Sequence, residues 1–381
     1  MDSFKGSLTS QEAGEAVRRG ILAADVRADV LVFPFADGGE GTLDAFLTAD
    51  GGSRRVTVSV SDPLGRQIEA SYGVLSDDTV VIEMAQAAGL CLLADNERDP
   101  MYTTTRGVGQ LVRHAINAGY RKYIIALGGS STNDCGAGML QELGLRIDDE
   151  AGNPITDGVI GLSDASSVDD TGLDPKIREC DVMIACDVDN PLCGPSGASH
   201  VFAPQKGASP EDVVKMDSWI SHFAQLIKEK YPDADPSQKG AGAAGGLGFA
   251  LQTFFDGKIR SGADVLLERT GLAKEIEAAD LVITGEGKID GQTAEGKAPA
   301  CIARISKKYG KSVIAIAGSV GAGYEKCLRI GIDAVYPVTP DNMDRKEAMK
   351  KDVAIKNIER TAGGMIRDVL QSEATGLPEY Q

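Results

Sequence analysis

The chain has 381 residues, of which 42% are hydrophobic and 25% charged, which is ordinary usage for a globular protein of about two domains. Its formal charge of −17 argues against nucleic acid and anionic membranes as partners, because their phosphates would be repelled. Seven cysteines without CxxC spacing predict free thiols in a reducing cytoplasm, and three scattered histidines argue against a zinc site. No apolar run has the length of a membrane helix.

The first predicted elements are a helix and a strand. Thr9 and Glu12 fit a capping box, which predicts a helix over residues 9–24. The apolar run 29–35 then reads as a buried strand. Together they look like the second and third parts of a β-α-β unit whose first strand is missing. We therefore expect the natural reading frame to start upstream of Met1 with a short hydrophobic strand.

The next segments interrupt the alternation of helices and strands, which then resumes. Alternating residues over 56–60 and 68–74, followed by the apolar run 80–82, predict a small antiparallel part. A helix that ends at Gly119 and a strand at 123–127 resume the α/β order. Further predicted elements are a helix that ends near Gly144, a strand at 181–186 and a long helix that begins after Ser209.

The last third alternates strands and helices regularly. The predicted strands are 281–284, 313–317 and 334–338, and the predicted helices are 298–309, 324–330 and 346–370. This order implies parallel strands with right-handed crossovers. We predict an α/β fold in which a Rossmann-like parallel-sheet domain, residues 1–50 plus 275–381, is interrupted by an inserted α/β domain. The inserted domain, residues 51–274, carries the small antiparallel part.

One glycine-rich segment, residues 128–134, follows a predicted strand and opens a helix. In that context free backbone N–H groups and the helix dipole hold an anion, and nearby hydroxyls add donors. A tight β-α turn with a polar cap is the alternative, and we favour anion binding. The predicted contacts to nucleotide phosphates are Gly128, Gly129, Ser130, Thr132 and Asn133.

Two other glycine-rich segments match phosphate motifs only in part. Residues 240–245 read GxGxxG, but no predicted strand precedes them, so close backbone packing at a helix start explains them at least as well. The stretch from Gly291 to Lys297 reads GxxxxGK, yet Ala298 stands where a P-loop needs Ser or Thr. Neither segment is assigned as a nucleotide motif.

Carboxylates at predicted strand ends are candidates for metal binding or proton transfer. Asp187 follows an apolar strand, where a carboxylate could bind magnesium or accept a hydroxyl proton; an Asx-type turn before Pro191 is the alternative. Glu286 and Asp290 follow the predicted strand at 281–284, at the edge where open α/β sheets bind ligands. Solvated turn residues remain the alternative for these two acids.

Seven segments in order along the chain together resemble the bacterial glycerate kinase family of the first type. They are Asp2–Leu8, Ala36–Thr42, Gly128–Leu140, Ala185–Leu192, Phe202–Ala208, Gly240–Leu251 and Thr284–Pro299. The resemblance implies ATP-dependent phosphorylation of D-glycerate with magnesium, giving a phosphoglycerate. Which hydroxyl is phosphorylated stays open at this point, and we favour 2-phosphoglycerate over 3-phosphoglycerate. Ser131 and Cys135 depart from the alanine and glycine that the family has more often.

The resemblance also suggests roles for the candidate residues. Lys5 would offset phosphate charge, and Asp187 and Glu286 would bind magnesium, with Glu286 near the nucleotide. The catalytic candidates are Asp187, Asp290 and Lys5, and the glycerate-binding candidates are Ser3, Asp37 and Lys297.

Two further functions stay open at this point. A nicotinamide-dependent dehydrogenase of a small hydroxy acid would need GxGxxG after a strand, and a non-enzymatic nucleotide sensor would need only the phosphate contacts. For the kinase we expect a cytoplasmic enzyme that binds small molecules, with no nucleic-acid or membrane partner. A homodimer is among the assemblies left open.

Overall fold

The computed structural model describes residues 1–4, 6–36 and 38–375, with backbone only for residues 372–375. Two predicted site residues, Lys5 and Asp37, lie outside the described residues. Within the described part, no helix combines the length and the apolar character needed to span a bilayer.

The chain divides into two compact units, which are described separately. The terminal unit combines Met1–Asp37 with Ala263–Gln381, and the central unit is the continuous stretch Gly38–Gly262. The strands of the described residues are β1 (Arg54–Ser61), β2 (Gln67–Val74), β3 (Thr79–Glu83), β4 (Lys122–Ala126), β5 (Arg146–Asp148), β6 (Ser167–Asp169), β7 (Asp181–Ala185), β8 (Lys258–Arg260), β9 (Leu281–Ile289), β10 (Ser312–Val320) and β11 (Ala334–Pro337).

The α-helices of the same residues follow in chain order. They are α1 (Ser10–Ala24), α2 (Thr42–Ala49), α3 (Ala85–Ala88), α4 (Arg106–Asn117), α5 (Ala137–Glu142), α6 (Ala198–Phe202), α7 (Pro210–Lys230), α8 (Leu247–Phe255), α9 (Gly262–Thr270), α10 (Leu272–Ala278), α11 (Ala298–Lys308), α12 (Glu325–Arg329), α13 (Arg345–Ala348) and α14 (Lys351–Thr375). The closing helix predicted over 346–370 is thus divided into α13 and α14.

The central unit is built on a sheet of strand order β1-β2-β3-β4-β7-β8. The pairs β1–β2 and β2–β3 are antiparallel, whereas β3–β4, β4–β7 and β7–β8 are parallel. Every residue of β3 is buried because this strand lies inside the sheet, while β1 at the edge carries exposed arginines. The predicted α/β fold with a small antiparallel part is confirmed, and the antiparallel strands extend the parallel sheet.

The terminal unit holds a parallel sheet of order β11-β10-β9, with α1 and α14 packed together beside it. The predicted capping box of α1 is confirmed, since Thr9 and Glu12 each bond the backbone of the other. A Cβ at Gly20 would lie 2.3 Å from the carbonyl oxygen of Glu359, so glycine is needed where the two helices cross. The first helix therefore packs tightly against the last one.

The strand predicted at 29–35 is wrong, because no described residue in that run belongs to a sheet. The amide of Phe35 donates to the Met1 carbonyl at 3.1 Å, and the terminal ammonium of Met1 donates to the Phe33 carbonyl at 3.4 Å. A strand needs a row of backbone partners, and among the described residues the backbone hydrogen bonds of this run across to another segment are those with Met1. The next residue, Asp2, donates its amide to Gly285 in β9 at 2.8 Å.

The end of β9 also differs from the prediction. The strand was predicted to stop at Thr284, but it continues to Ile289 because β10 pairs with it as far as the Ile289–Val320 register. Glu286 therefore lies inside the strand, and the first residue after it is Asp290. The turn that could contact a ligand begins at Asp290 and not at Gly285.

Candidate active site

The glycine loop, residues 128–134, follows β4 in the middle of the central sheet. The Leu127 amide donates to the Ala185 carbonyl at 3.2 Å, so the loop starts at the carboxyl edge of the parallel strands. The Gly128 amide donates to the Gly38 carbonyl at 2.9 Å, and a Cβ at Gly128 would lie only 2.4 Å from the Cα of Gly39. Glycine at position 128 thus lets a second glycine-rich turn lie directly against the loop.

Solvent reaches only the first part of the glycine loop. Gly129 is exposed at φ +77°, and Gly128 and Ser130 are half-buried, whereas Thr132 and Asn133 have no exposed surface. The amide nitrogen of Asn133 donates to Ser199 Oγ at 2.9 Å, whereas Thr132 Oγ1 and Asn133 Oδ1 are buried without a hydrogen-bond partner among the described residues. Of the five predicted phosphate contacts, Gly128, Gly129 and Ser130 are the ones that the structure presents to solvent.

A buried carboxylate, Asp134, fixes the far end of the loop. Its oxygens accept hydrogen bonds from the amide and the hydroxyl of Thr105, both at 2.8 Å, and from the amides of Gly136 and Gly138 at 3.1 and 3.2 Å. Burial raises the pKa of Asp134, although these hydrogen bonds act in the opposite direction. The carboxylate ties the loop to Thr105, the residue before α4, and to the start of α5.

A buried lysine lies beneath the loop, and the sequence did not single it out. Lys206 is 2% exposed, and its Nζ donates to Ser130 Oγ at 2.8 Å and to the Thr132 carbonyl at 2.6 Å. Burial lowers the pKa of Lys206 to about 7, and the charge of Asp134 acts in the opposite direction. Lys206 lies in the family-like stretch Phe202–Ala208, but a lone loop lysine is normally solvated, so its burial had no local signal.

The turn that packs on Gly128 is held by a second buried acid. Glu83, at the end of β3 and 2% exposed, accepts from the amide of Gly41 at 3.3 Å and from the amide of Leu43 at 3.1 Å. Its carboxylate thereby caps α2, and burial raises the pKa of Glu83 to about 7. Nearby, the Cys91 thiol donates to Glu40 Oε1 at 2.7 Å.

Asp187 lies two residues beyond the end of β7, the neighbour of β4 in the sheet. Its side chain is exposed, and it stands at the same sheet edge as Gly128 because parallel neighbouring strands end together. It also lines a groove of about 920 Å³ in the central unit, whose walls carry Lys239 and Arg260. Lys239 pairs with Asp189 at 2.9 Å. The structure therefore brings Asp187 and the glycine loop to one edge.

In the terminal unit, Glu286 is 7% exposed and accepts a hydrogen bond from Thr293 Oγ1 at 2.6 Å. Lys297 Nζ lies 4.0 Å from the other oxygen of Glu286, and Lys297 is the N-cap residue of α11. Ser3 comes close to the same part of β9, because the residue before it bonds Gly285. Ser3, Glu286 and Lys297 thus belong to one region of this unit.

Asp290 takes part in a different set of contacts. Its carboxylate pairs with Lys288 Nζ at 2.8 Å and accepts from the Gln292 amide at 3.0 Å. The hydrogen bond from Lys288, and then that amide, lower the pKa of Asp290 in spite of some desolvation. Asp290 is therefore ionised and held by its own turn.

The GxGxxG segment 240–245 has no strand among the described residues before it, and it leads into α8. A Cβ at Gly245 would lie 2.1 Å from the Thr132 carbonyl oxygen, so this turn packs its backbone against the glycine loop. Of the two explanations left open, the structure supports close backbone packing. The strand context needed for a dinucleotide site is absent from the described residues.

Exposed amides lie at the carboxyl edge of a parallel sheet, with a buried lysine behind them and a carboxylate at the end of the next strand. This arrangement suits phosphoryl transfer. That reaction depends on placing the phosphates and balancing their charge, more than on covalent chemistry by the protein. These features define the class as an α/β phosphotransferase.

Comparison with known proteins gives the particular family. The chain belongs to the glycerate kinase family, whose sequence profile matches residues 1–370. Members of this family are kinases that transfer phosphate to glycerate, with ATP as a substrate. These comparisons give no support to the dehydrogenase alternative.

Three proteins illustrate the similarity. The glycerate kinase of Bacillus subtilis is 43% identical over 372 residues, which cover 97% of this chain and 96% of the relative. The glycerate 2-kinase of Escherichia coli is 43% identical over 338 residues, or 88% of each chain. A crystal structure from Salmonella typhimurium LT2, proposed to be glycerate kinase 2, is 42% identical, superimposes with a TM-score of 0.82 and covers 98% of this chain and 97% of its own.

Proposed function

We propose that this chain transfers the γ-phosphoryl group of ATP to the 2-hydroxyl of D-glycerate, giving 2-phosphoglycerate and ADP. The observation that carries the choice of hydroxyl is the 43% identity, over 338 residues, to the Escherichia coli protein named glycerate 2-kinase. The site geometry supports the phosphoryl-transfer part, because the exposed Gly129 lies at a sheet edge above a buried lysine.

The glycine loop would hold phosphate oxygens of ATP. The amides of Gly129 and Ser130 lie where the loop meets solvent, and the absence of a side chain at Gly129 permits close approach of an anion. Because Thr132 and Asn133 are buried, we assign them to the support of the loop and not to direct contact. This proposal narrows the five contacts predicted from the sequence to Gly129 and Ser130, because the Gly128 amide already donates to the Gly38 carbonyl.

Asp187 would act on the hydroxyl of glycerate. Its carboxylate would accept the hydroxyl proton as the oxygen attacks the γ-phosphorus and ADP departs, so the reaction balances without a further reactant. Its exposed position at the loop's own sheet edge supports this role. A role as metal ligand is the second assignment for the same carboxylate.

Magnesium would accompany the nucleotide. The described residues contain no group of three or more His, Cys, Asp or Glu side chains that could hold a metal ion. Single carboxylates still fit magnesium, which is usually bound by one or two carboxylates together with substrate phosphates. Asp187 is the carboxylate of the central unit proposed to hold it, and the ion would neutralise phosphate charge.

Further substrate contacts are proposed among residues of the terminal unit. Lys297, at the start of α11 and partly exposed, is proposed to bind the carboxylate of glycerate, with Ser3 as a hydroxyl donor. Asp37 is proposed as a further glycerate contact and Lys5 as a phosphate contact. Asp290 is proposed to hold the turn before Lys297, since it pairs with Lys288.

The test is product analysis with the purified protein, ATP and D-glycerate. Phosphorus NMR against authentic 2- and 3-phosphoglycerate should show the 2-isomer, and chelation of magnesium should stop its formation. Formation of the 3-isomer would refute the choice of hydroxyl, and absence of any phosphoglycerate would refute the kinase assignment.

A further inference from the structure

We propose that Lys206 is a positioning residue for the phosphoryl donor: it holds the glycine loop from beneath and places a positive charge behind the amides that face the bound phosphate. This inference rests on the proposed function and adds a residue to it. Lys206 itself is buried and touches the loop, so it would act through Ser130 and Thr132.

The first argument is the position of its two hydrogen bonds. They reach Ser130 Oγ and the Thr132 carbonyl, on either side of the point where the loop passes from exposed to fully buried. The neighbouring carbonyl of Gly129 is fixed independently by the Leu90 amide at 2.8 Å. The exposed corner at Gly129 is therefore held from both sides, which keeps its amide direction constant.

The second argument is the cost of burying a lysine. Full burial of an ammonium group is strongly unfavourable unless it is paired, and here no carboxylate of the described residues forms a salt bridge with Lys206. Asp134, in the loop, is the anionic group whose charge acts on Lys206. Helix α6, which packs against the turn that contains Lys206, carries His200. A methionine would fill the same space without that cost, so packing alone does not explain the lysine.

The third argument is the number of donors. A charged ammonium has three N–H donors, whereas Nζ of Lys206 has two acceptors among the described residues. Burial lowers the pKa of Lys206 to about 7, so near pH 7 the ammonium form and the neutral amine are similarly populated. Phosphate bound above the loop favours the charged form, and by linkage the charged form favours bound phosphate.

The expected effect is electrostatic. A unit charge about 8 Å from a phosphate, at an effective dielectric constant of about 20, corresponds to roughly a 30-fold change in affinity. Lys206→Met, which removes charge and donors, should raise KM for ATP and the Kd of ADP by roughly 30-fold, with KM for glycerate nearly unchanged. Lys206→Gln, which keeps a donor without charge, should show most of the same loss, and Lys206→Arg should recover part of it.

The matched control is Lys215→Met on α7. Lys215 is an exposed lysine of the same unit that pairs only with Glu211 among the described residues. Its replacement by methionine makes the same change of charge at a position that does not contact the glycine loop. Each variant is assayed for phosphoglycerate formation and ADP binding by calorimetry, and its thermal unfolding is measured. If Lys206→Met does not fold, Lys206→Gln and Lys206→Arg carry the comparison.

The outcomes separate the two proposals. An active wild-type enzyme whose Lys206→Gln variant binds ADP as tightly as the Lys215→Met control would overturn the charge role. Equal losses for ATP and glycerate in all three Lys206 variants would mean a purely structural residue and would overturn it as well. A wild-type protein without kinase activity would instead refute the proposed function, while ADP binding would still test Lys206.

Discussion

Replacing Glu83 by glutamine should change how stability depends on pH. Glu83 is buried at the end of β3, and its two oxygens accept the amides of Gly41 and Leu43. Burial raises its pKa from 4.5 to about 7, so the folded protein binds a proton here more tightly than the unfolded chain does. The glutamine variant keeps the size but has no titrating group.

The sign follows from the raised pKa. The contribution of Glu83 is fully present below about pH 4.5, where both states are protonated, and it is lost as pH rises through the folded pKa of about 7. A shift of that size corresponds to about 3 kcal/mol. In the glutamine variant one amide loses its acceptor, which costs about 1–3 kcal/mol at every pH. Wild type should therefore be the more stable protein at pH 5, and this advantage should shrink by about 2–3 kcal/mol by pH 8.

Urea unfolding at pH 5, 6, 7 and 8 measures this difference. Trp219 on α7 is the single tryptophan of the chain and packs against the core of the central unit, so its fluorescence follows the unit that contains Glu83. Glu150→Gln, at an exposed position in the same unit, is the matched control and should leave the difference constant. A wild-type advantage over Glu83→Gln that does not change between pH 5 and pH 8 would refute the reasoning.

Three further predictions concern the proposed site. Gly129→Val should raise KM for ATP at least tenfold because its side chain would block the amides, whereas Gly152→Val, at a similar positive φ with open space around it, should cost stability alone; equal kinetics for the two would contradict phosphate binding. Thr132→Val should leave KM nearly unchanged, since its buried hydroxyl has no partner among the described residues. Asp187→Asn should lower kcat about 10²–10⁴-fold if Asp187 is the base, and should shift the magnesium dependence to higher concentration if it is a ligand. Asp181→Asn, at the other end of the same strand, is the control. Normal turnover of Asp187→Asn would exclude both roles.

Features that depend on near neighbours in the chain could be predicted from the sequence. The capping box at Thr9 and Glu12 needs only residues three apart, and the α/β alternation in the last third follows from hydrophobic periodicity. The glycine loop was found for the same reason, because its strand, turn and helix are consecutive. These local patterns were sufficient for the fold class.

Features that depend on distant partners could not be predicted in this way. The run 29–35 has the composition of a strand, but a strand also needs a row of partners, and the structure offers it Met1. The length of β9 was set by pairing with β10 as far as Val320, which its own residues do not encode. Lys206 was missed because nothing in a loop sequence states that a lysine is buried.

The surroundings of the Cys91 thiol offer a way to observe the glycine loop directly. Of the seven cysteines, all within the described residues, Cys91 is the exposed one, and burial raises the pKa of Cys135, Cys180, Cys186, Cys193 and Cys327. A maleimide fluorophore at neutral pH should therefore label Cys91 first, because its thiol is accessible to the reagent. The residue before it bonds the Gly129 carbonyl, so the emission of the dye should change when nucleotide occupies the loop. The native chain thus supplies the attachment site for an optical titration of ligand binding, independent of turnover.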